Sequence, residues 1–259
     1  MEVLRAQNLG QTYQAANGEV VAFEDITFSV EKGEFISIVG PSGCGKSTLL
    51  SAVAGLLPPS SGAVYVEGVP VRGTSPHIGY MLQRDNLLEW RTIWQNVLFG
   101  LEIQGAQNPA TEARAGKLLE TYGLADFAEK YPRQLSGGMR QRAALIRTLA
   151  AGPDILLLDE AFSALDYQTR LEVTDDVYRI LKQEGVTTLM VTHDIPESIS
   201  MSDRVLILSA RPATLKESLT VEFPGLPEPR TPLSCRAHPN FSKYFNLIWK
   251  ELSDNEPAQ

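Results

Sequence analysis

Gly40-Pro41-Ser42-Gly43-Cys44-Gly45-Lys46-Ser47-Thr48 is the stretch of this chain with the clearest chemistry. It follows an apolar run at 34–39 and precedes Leu49, Leu50, Val53 and Ala54 at helical spacing. The pattern G-x-x-x-x-G-K-[S/T] between a strand and a helix builds a phosphate cradle. The glycines turn backbone N–H groups inward, and the helix N-terminus adds partial positive charge. Lys46 would reach the β- and γ-phosphates of a nucleotide, and the Ser47 hydroxyl would ligate Mg²⁺. The backbone of Cys44 matters more here than its thiol. A second candidate is the run Ile-Leu-Leu-Leu-Asp-Glu at 155–160, an apolar strand ending in two acids. Asp159 suits the oxygen shell of a hard cation, and Glu160 suits a general base acting on water. A third is Leu-Ser-Gly-Gly-Met-Arg-Gln-Arg at 135–142, where Ser136 and the N–H groups of Gly137 and Gly138 open a helix as another anion site. By itself that loop, like the Asp-Glu pair, would be a helix cap; the phosphate cradle upstream is what makes both informative.

These groups need a scaffold, and the pattern supplies one. Ile26, Phe28 and Val30 alternate with polar residues, and Asn17-Gly18 is a hairpin signal, so the first 35 residues read as strands. Short strands are expected at 63–66 and 79–82. From about 85 to 152 the character is helical, with Leu118, Leu119 and Tyr122 on one face and Leu145, Thr148 and Leu149 on another. Strands return at 155–158, 187–192 and 204–208, separated by a helix with Val173, Val177, Ile180 and Leu181 on its buried stripe. Strands alternating with helices imply a largely parallel sheet covered on both faces, with ligands at the carboxyl ends of the strands. Prolines 224, 227, 229, 232 and 239 predict an irregular tether over 216–238. A last helix follows, capped by Asn240, with Phe241, Tyr244, Phe245, Ile248, Trp249 and Leu252 on one face, which must dock, on the chain's own core in preference to a partner surface.

Composition narrows the class. The chain has 259 residues, and 23 basic against 31 acidic residues give a net charge of −8, which argues against a surface-charge nucleic-acid binder. Apolar runs are too short to cross a bilayer, and residues 1–20 hold no apolar signal segment. Cys44 and Cys235 are too few for a disulfide framework or a four-ligand zinc site. His77 and His238 match no motif and read as surface residues.

The three chemical segments, in this order, resemble the Walker A loop, signature sequence and Walker B strand of ATP-binding-cassette (ABC) ATPases over about residues 1–215. The resemblance implies an α/β fold: a P-loop NTPase (RecA-like) core with an N-terminal antiparallel β subdomain and an inserted α-helical subdomain at about 85–152. It also implies roles for further residues. Tyr13 matches the aromatic residue that stacks on adenine. Gln83 matches the Q-loop glutamine that senses Mg²⁺ and the γ-phosphate. Ser163-Ala164-Leu165-Asp166 matches the D-loop, and His193 the switch histidine at the γ-phosphate. Met139, Ala161 and Glu89 depart from common family residues without removing a phosphate, metal or base ligand.

The ABC resemblance implies ATP and Mg²⁺ as cofactors and a homodimer in which the Ser136 loop of one copy closes over the nucleotide of the other. Gln-x-x-x-Leu-Leu-x-Trp at 83–90, Ser209-Ala210-Arg211-Pro212 and the short aromatic tail narrow the likeness to nitrate/sulfonate/taurine-type importer ATPases, a group that includes pyrimidine-precursor and bicarbonate systems. The implied partners are integral membrane permease subunits and a periplasmic or lipoprotein solute-binding protein, with no nucleic acid. The implied place is the cytoplasmic face of the inner membrane. Leu87, Leu88 and Trp90 either receive a coupling helix of the permease or pack inside the helical subdomain. The rival reading is a soluble ABC ATPase of DNA repair or translation, which would carry long coiled-coil or zinc insertions or a second cassette. A P-loop kinase would leave the 135–142 loop unexplained.

Overall fold

The computed structural model describes residues 1–15, 18–227 and 229–253. A long hairpin, β1 (Glu2–Ala15) and β2 (Gly18–Glu31), leads into β3 (Phe35–Val39) and α1 (Lys46–Val53). Ala15 faces Gly18 across the expected turn, whose Asn17 lies outside the described residues. Next come β4 (Ser61–Val66), β5 (Val69–Pro70) and β6 (Ile78–Met81), then the helices α2 (Ile93–Ile103), α3 (Pro109–Thr121) and α4 (Gly137–Ala150). The chain continues through β7 (Ile155–Asp159), α5 (Tyr167–Glu184), β8 (Thr187–Val191), α6 (Ile195–Met201) and β9 (Arg204–Leu208). It ends in β10 (Leu215–Thr220), α7 (Pro232–Ala237) and α8 (Pro239–Ser253).

Two sheets result. One is antiparallel, in the order β2-β1-β4-β5; the other runs β10-β9-β3-β8-β7-β6, parallel except for the β10 edge. Each central strand serves two cores through its period of two. On β7, Ile155 and Leu157 join α1 and the antiparallel sheet, while Leu156 and Leu158 join the helices. Burial on both faces explains why β7 reads as an unbroken apolar run. The helical insertion is punctuated by its caps. Thr92 and Gln95 form a capping box on α2, and Asn108 caps α3 with Pro109 in the first turn. The fully buried amide of Asn96 bonds the carbonyls of Leu88, Arg91 and Thr92 and accepts from the Leu88 N–H, fixing the loop into α2.

The C-terminal segment departs from the expected tether. Residues 215–220 extend the parallel sheet as β10, and Pro232 to Ala237 are helical, because prolines cluster between these elements and at the α7 start, where a missing N–H costs nothing. Val221, Phe223, Cys235 and Ile248 form a third core with Val39, Ile195, Ile199, Val205 and Ile207. Arg230 is buried there, stacked 5.3 Å from the Phe223 ring. Asn240 does not cap α8. The helix starts at Pro239, and the His238 ring does the capping: Nδ1 accepts the Asn240 N–H at 3.1 Å while Nε2 donates to the Pro224 carbonyl at 3.1 Å. The apolar face of α8 docks as expected except for Trp249, which stacks on Phe245 yet stays 59% exposed. Ile248 is fully buried, so Ile248→Ala should cost roughly 2–5 kcal/mol of stability. Urea denaturation checks this, and an unchanged midpoint would show that α8 is undocked in solution.

Candidate functional site

The phosphate loop leaves the carboxyl end of β3 and enters α1 at Lys46. Gly45 has φ of +111°, a conformation that side chains rarely adopt, and an added Cβ would lie 3.4 Å from the Ala22 carbonyl oxygen. The loop is thereby seated on β2. Lys46 is buried, and its Nζ donates to the carbonyls of Gly40 and Pro41 at 2.9 and 3.0 Å. Cys44 is buried too, and desolvation pushes its thiol pKa up while the charges of Lys46 and Arg211 oppose the rise. A cavity of about 560 Å³ opens over the loop, lined by Ser42, Gly43, Gly45, Lys46, Ser47, Thr48, Glu160, His193 and Arg211.

The acids stand where β7 ends. Ser47 Oγ donates to Asp159 Oδ1 at 2.8 Å, and the Tyr80 hydroxyl donates to Oδ2 at 3.1 Å. Burial and the Asp159 charge push the Tyr80 phenol up to about 12. Glu160 adopts φ of +47°, an uncommon conformation for a residue with a side chain, which costs on the order of 1–2 kcal/mol. Its N–H bonds the Val191 carbonyl at 2.9 Å, tying the ends of β7 and β8, and His193 Nδ1 lies 3.2 Å from Glu160 Oε2. An oxygen donor pair beside a phosphate loop, and an acid–imidazole pair across the same cavity, can hold a hard cation and move a proton respectively.

Other residues singled out by the sequence lie outside the cavity. Gln83 Nε2 donates to Ser163 Oγ at 3.1 Å, and Ser163 in turn donates to the Glu160 carbonyl at 2.9 Å. Tyr13 is 41% exposed on β1, opposite Val20. Ser136 caps α4 by accepting the Met139 N–H at 3.3 Å. Gly138 is needed for packing as well as for any anion, since a Cβ there would meet Val173 Cγ2 at 2.9 Å. Of the loop before α2, Leu87 packs inside the helical core, whereas Trp90 is 74% exposed and Glu89 is exposed beside it.

Several supporting residues carry no sequence signal of their own. Tyr80 is an alternating strand residue until β6 pairs with β7 and puts it opposite Leu157. Arg170 pairs with Asp194 at 3.1 Å and donates to the carbonyls of Ser163 and Leu165, so it joins the segment after Glu160 to the one after His193. Arg140 holds Asp85 at 3.1 Å, and Arg147 bonds the carbonyls of Asp85 and Asn86, fastening the loop after Gln83 to α4. Gln141 bonds the Ala161 carbonyl from the same helix. Arg211, from the Ser-Ala-Arg-Pro segment at 209–212, reaches the rim of the cavity.

A family model described as ABC transporter matches residues 23–163. Over 259 residues the chain is 47% identical to the uncharacterized ABC transporter ATP-binding protein YtlC of Bacillus subtilis (strain 168), covering 100% of this chain and 99% of that one. It is 40% identical to the nitrate import ATP-binding protein NrtD of Synechocystis sp., covering 99% and 97%. Among solved structures, a dimeric post-hydrolysis state of the ATP-binding cassette MJ0796 with ADP and Pi superposes with a TM-score of 0.71 at 28% identity, over 85% of this chain and 99% of that one.

Beneath His193, Asp194 caps α6 by accepting the Glu197 N–H at 2.9 Å. Burial lifts the Glu197 carboxyl from 4.5 to about 7; a Thr192 hydrogen bond and the charges of Arg170 and Arg236 oppose the rise, and Asp194 adds to it. The folded state therefore keeps a proton that the unfolded chain has released, and stability falls as pH climbs from about 4.5 to about 7. Glu197→Gln removes that slope. Relative to the parent it should gain on the order of 3 kcal/mol across the interval, read from urea titrations at its two ends. Parallel pH profiles would show that Glu197 ionises alike in both states.

Proposed function

Since this chain belongs to the ABC transporter family and is an ATP-hydrolysing cassette, we propose that it energises uptake of a small solute of the nitrate, sulfonate, taurine, pyrimidine-precursor or bicarbonate class. It would do so as a homodimer bound to separate permease subunits at the cytoplasmic face of the inner membrane, served by a periplasmic or lipoprotein solute-binding protein. The observation that carries this reading is the 40% identity to a nitrate import ATP-binding protein along 97% of that protein. The same coverage leaves no room for the long insertions of a DNA-repair ATPase. No helix among the described residues is long and apolar enough to cross a membrane, in keeping with a permease on other chains.

The roles of residues 40–48, Asp159, Glu160 and His193 follow from the chemistry of the site, and those of Gln83, Tyr13 and the Ser136 loop from the family resemblance. N–H groups of residues 42–48, with the α1 N-terminus, receive the phosphates, and Lys46 exchanges its loop carbonyls for phosphate oxygens. Ser47 and Asp159 offer hydroxyl and carboxylate oxygens 2.8 Å apart, a donor set that fits Mg²⁺ completed by phosphates. Bound there, Mg²⁺ would neutralise charge developing on the β- and γ-phosphates. Glu160 takes a proton from the attacking water, and His193, in contact with Glu160, orients it and faces the γ-phosphate. Gln83 reports on the γ-phosphate and the metal through its bond to Ser163. Tyr13 stacks on the adenine. Ser136, Gly137 and Gly138 serve the nucleotide on the partner copy, so ATP joins two chains in an isologous dimer.

Glu160→Gln should keep ATP binding and lose about 10²-fold or more of hydrolysis, with uptake lost in cells supplied only with this variant. Uptake of labelled nitrate, taurine and bicarbonate in a strain lacking the chain tests the importer reading, and unimpaired uptake of every member of the class would overturn it. Ser136→Arg should bind ATP as a monomer yet fail to dimerise with it. Light scattering on ATP-loaded protein decides this, and dimers in that variant would contradict the shared site.

A further inference from the structure

Arg211 sits in the turn between β9 and β10, exposed, with its guanidinium at the rim of the nucleotide cavity. Its Nη2 donates to the Gly43 carbonyl at 2.6 Å. The turn that carries it is held on both sides. Ser209 donates its N–H to the Thr214 carbonyl at 3.0 Å, and its hydroxyl accepts the Thr214 N–H at 2.9 Å. Ala213, fully buried, exchanges backbone bonds of 3.0 Å with Ala22 and Glu24 of β2. Ala22 and Phe23 are also the residues on which Gly45 rests. One stretch of β2 thus supports both the phosphate loop and the turn bearing Arg211, and the two keep a fixed spacing.

The hydrogen-bond partner of this guanidinium is a carbonyl, as it is for Arg147, but among the described arginines Arg211 is the one that lines this cavity. Arg140, Arg170 and Arg230 each meet a carboxylate, whereas among the described residues none pairs with Arg211. Lys46 is in the same condition, with its ammonium on the carbonyls of Gly40 and Pro41. Two cations, from distant parts of the chain, rest on carbonyls of one loop and line one cavity. A carbonyl is a weaker partner for a cation than a charged oxygen, and a guanidinium with one bond to Gly43 has further N–H donors to offer. A nucleoside triphosphate brings about four negative charges, of which Lys46, the helix dipole and a bound Mg²⁺ would meet only part.

We propose that Arg211 is a second phosphate-binding cation, which leaves or shares the Gly43 carbonyl and grips the phosphate tail of the bound nucleotide from the rim of the loop. It rests on nucleotide binding at this loop and not on which solute is moved, so a change of solute would leave it standing. The test is nucleotide affinity of the full-length chain, by calorimetry for ATP and ADP and by competition for adenosine. At low salt, Arg211→Gln should weaken ATP and ADP about tenfold, the scale of one charge-assisted bond, and adenosine less than twofold. The ATP deficit should shrink at high salt as the charge is screened, and Arg211→Lys should recover most of it. Equal losses for ATP and adenosine would mean that Arg211 only shapes the loop, and an unchanged ATP affinity would remove it from the site; either overturns the proposal. Should Arg211→Gln fail to fold, Arg211→Met, which keeps an apolar stem without the charge, carries the same test, and an unaltered ratio of ATP to adenosine affinity in it overturns the proposal.

Discussion

Strands β3, β7 and β8 are buried on both faces, so their polar chemistry can appear only at their ends. Parallel pairing aligns those ends along one edge of the sheet. β3 delivers the phosphate loop, β7 delivers Asp159 and Glu160, and β8 leads to His193, all within reach of one cavity. The register is specific: Asp159 pairs with Val191, so the Glu160 N–H reaches the Val191 carbonyl and the side chain turns toward His193. A slip of one residue would send Leu156 and Leu158 to the wrong core and move the acids off the edge at the same time. Sheet packing and site geometry are therefore one constraint, and the positive φ of Glu160 is the local strain that this edge tolerates.

Much of this was legible because the chemistry lies in contiguous segments. The loop at 40–48, the acids after 155–158 and the Ser-Gly-Gly turn each announce themselves by residue type, and alternation or helical spacing locates the elements that hold them. What stayed hidden was pairing between distant segments. Tyr80 becomes a donor to Asp159 only because β6 lies beside β7, and nothing in Ile-Gly-Tyr-Met says so. Arg170 reads as a solvated helix residue, yet its guanidinium spans two loops that leave different strands. At the C-terminus, proline density pointed to an irregular tether, but the edge of β9 was open and 215–220 could pair with it at little cost. Apolar anchors at Val221, Phe223 and Cys235, which belong to no periodic run, hold the rest.

The groups around the phosphate-loop cavity are tied to one another. Gln83 reaches Glu160 through Ser163, and the loop after Gln83 is fastened to α4 by Arg140 and Arg147. Gln141 returns from α4 to the Ala161 carbonyl, next to Glu160. This closes a ring of contacts from the cavity to the helical insertion and back. A displacement of Glu160 or Gln83 would be felt at α4, whose N-terminus carries Ser136, and at the loop that presents Trp90. Such a ring is a physical route by which the state of the phosphates can alter the outer faces of the helical insertion, through hydrogen-bonded contacts between rigid elements.

Ser136 shows how the same group can satisfy two demands. Within the chain, its hydroxyl accepts the Met139 N–H as an N-cap, which is what a helix start requires. The cap leaves the N–H groups of the first turn directed outward, because a helix cannot satisfy them internally. A purely structural start would need nothing more than Ser136, but Gly138 brings α4 so close to Val173 that α5 backs the turn rigidly. With Met139 and Arg140 bonded to Ser136, the N–H groups of Gly137 and Gly138 are the first-turn donors that an anion would use. In this chain the cavity of the phosphate loop is lined by other residues. In the proposed dimer the Ser136 turn would meet the nucleotide of the second copy.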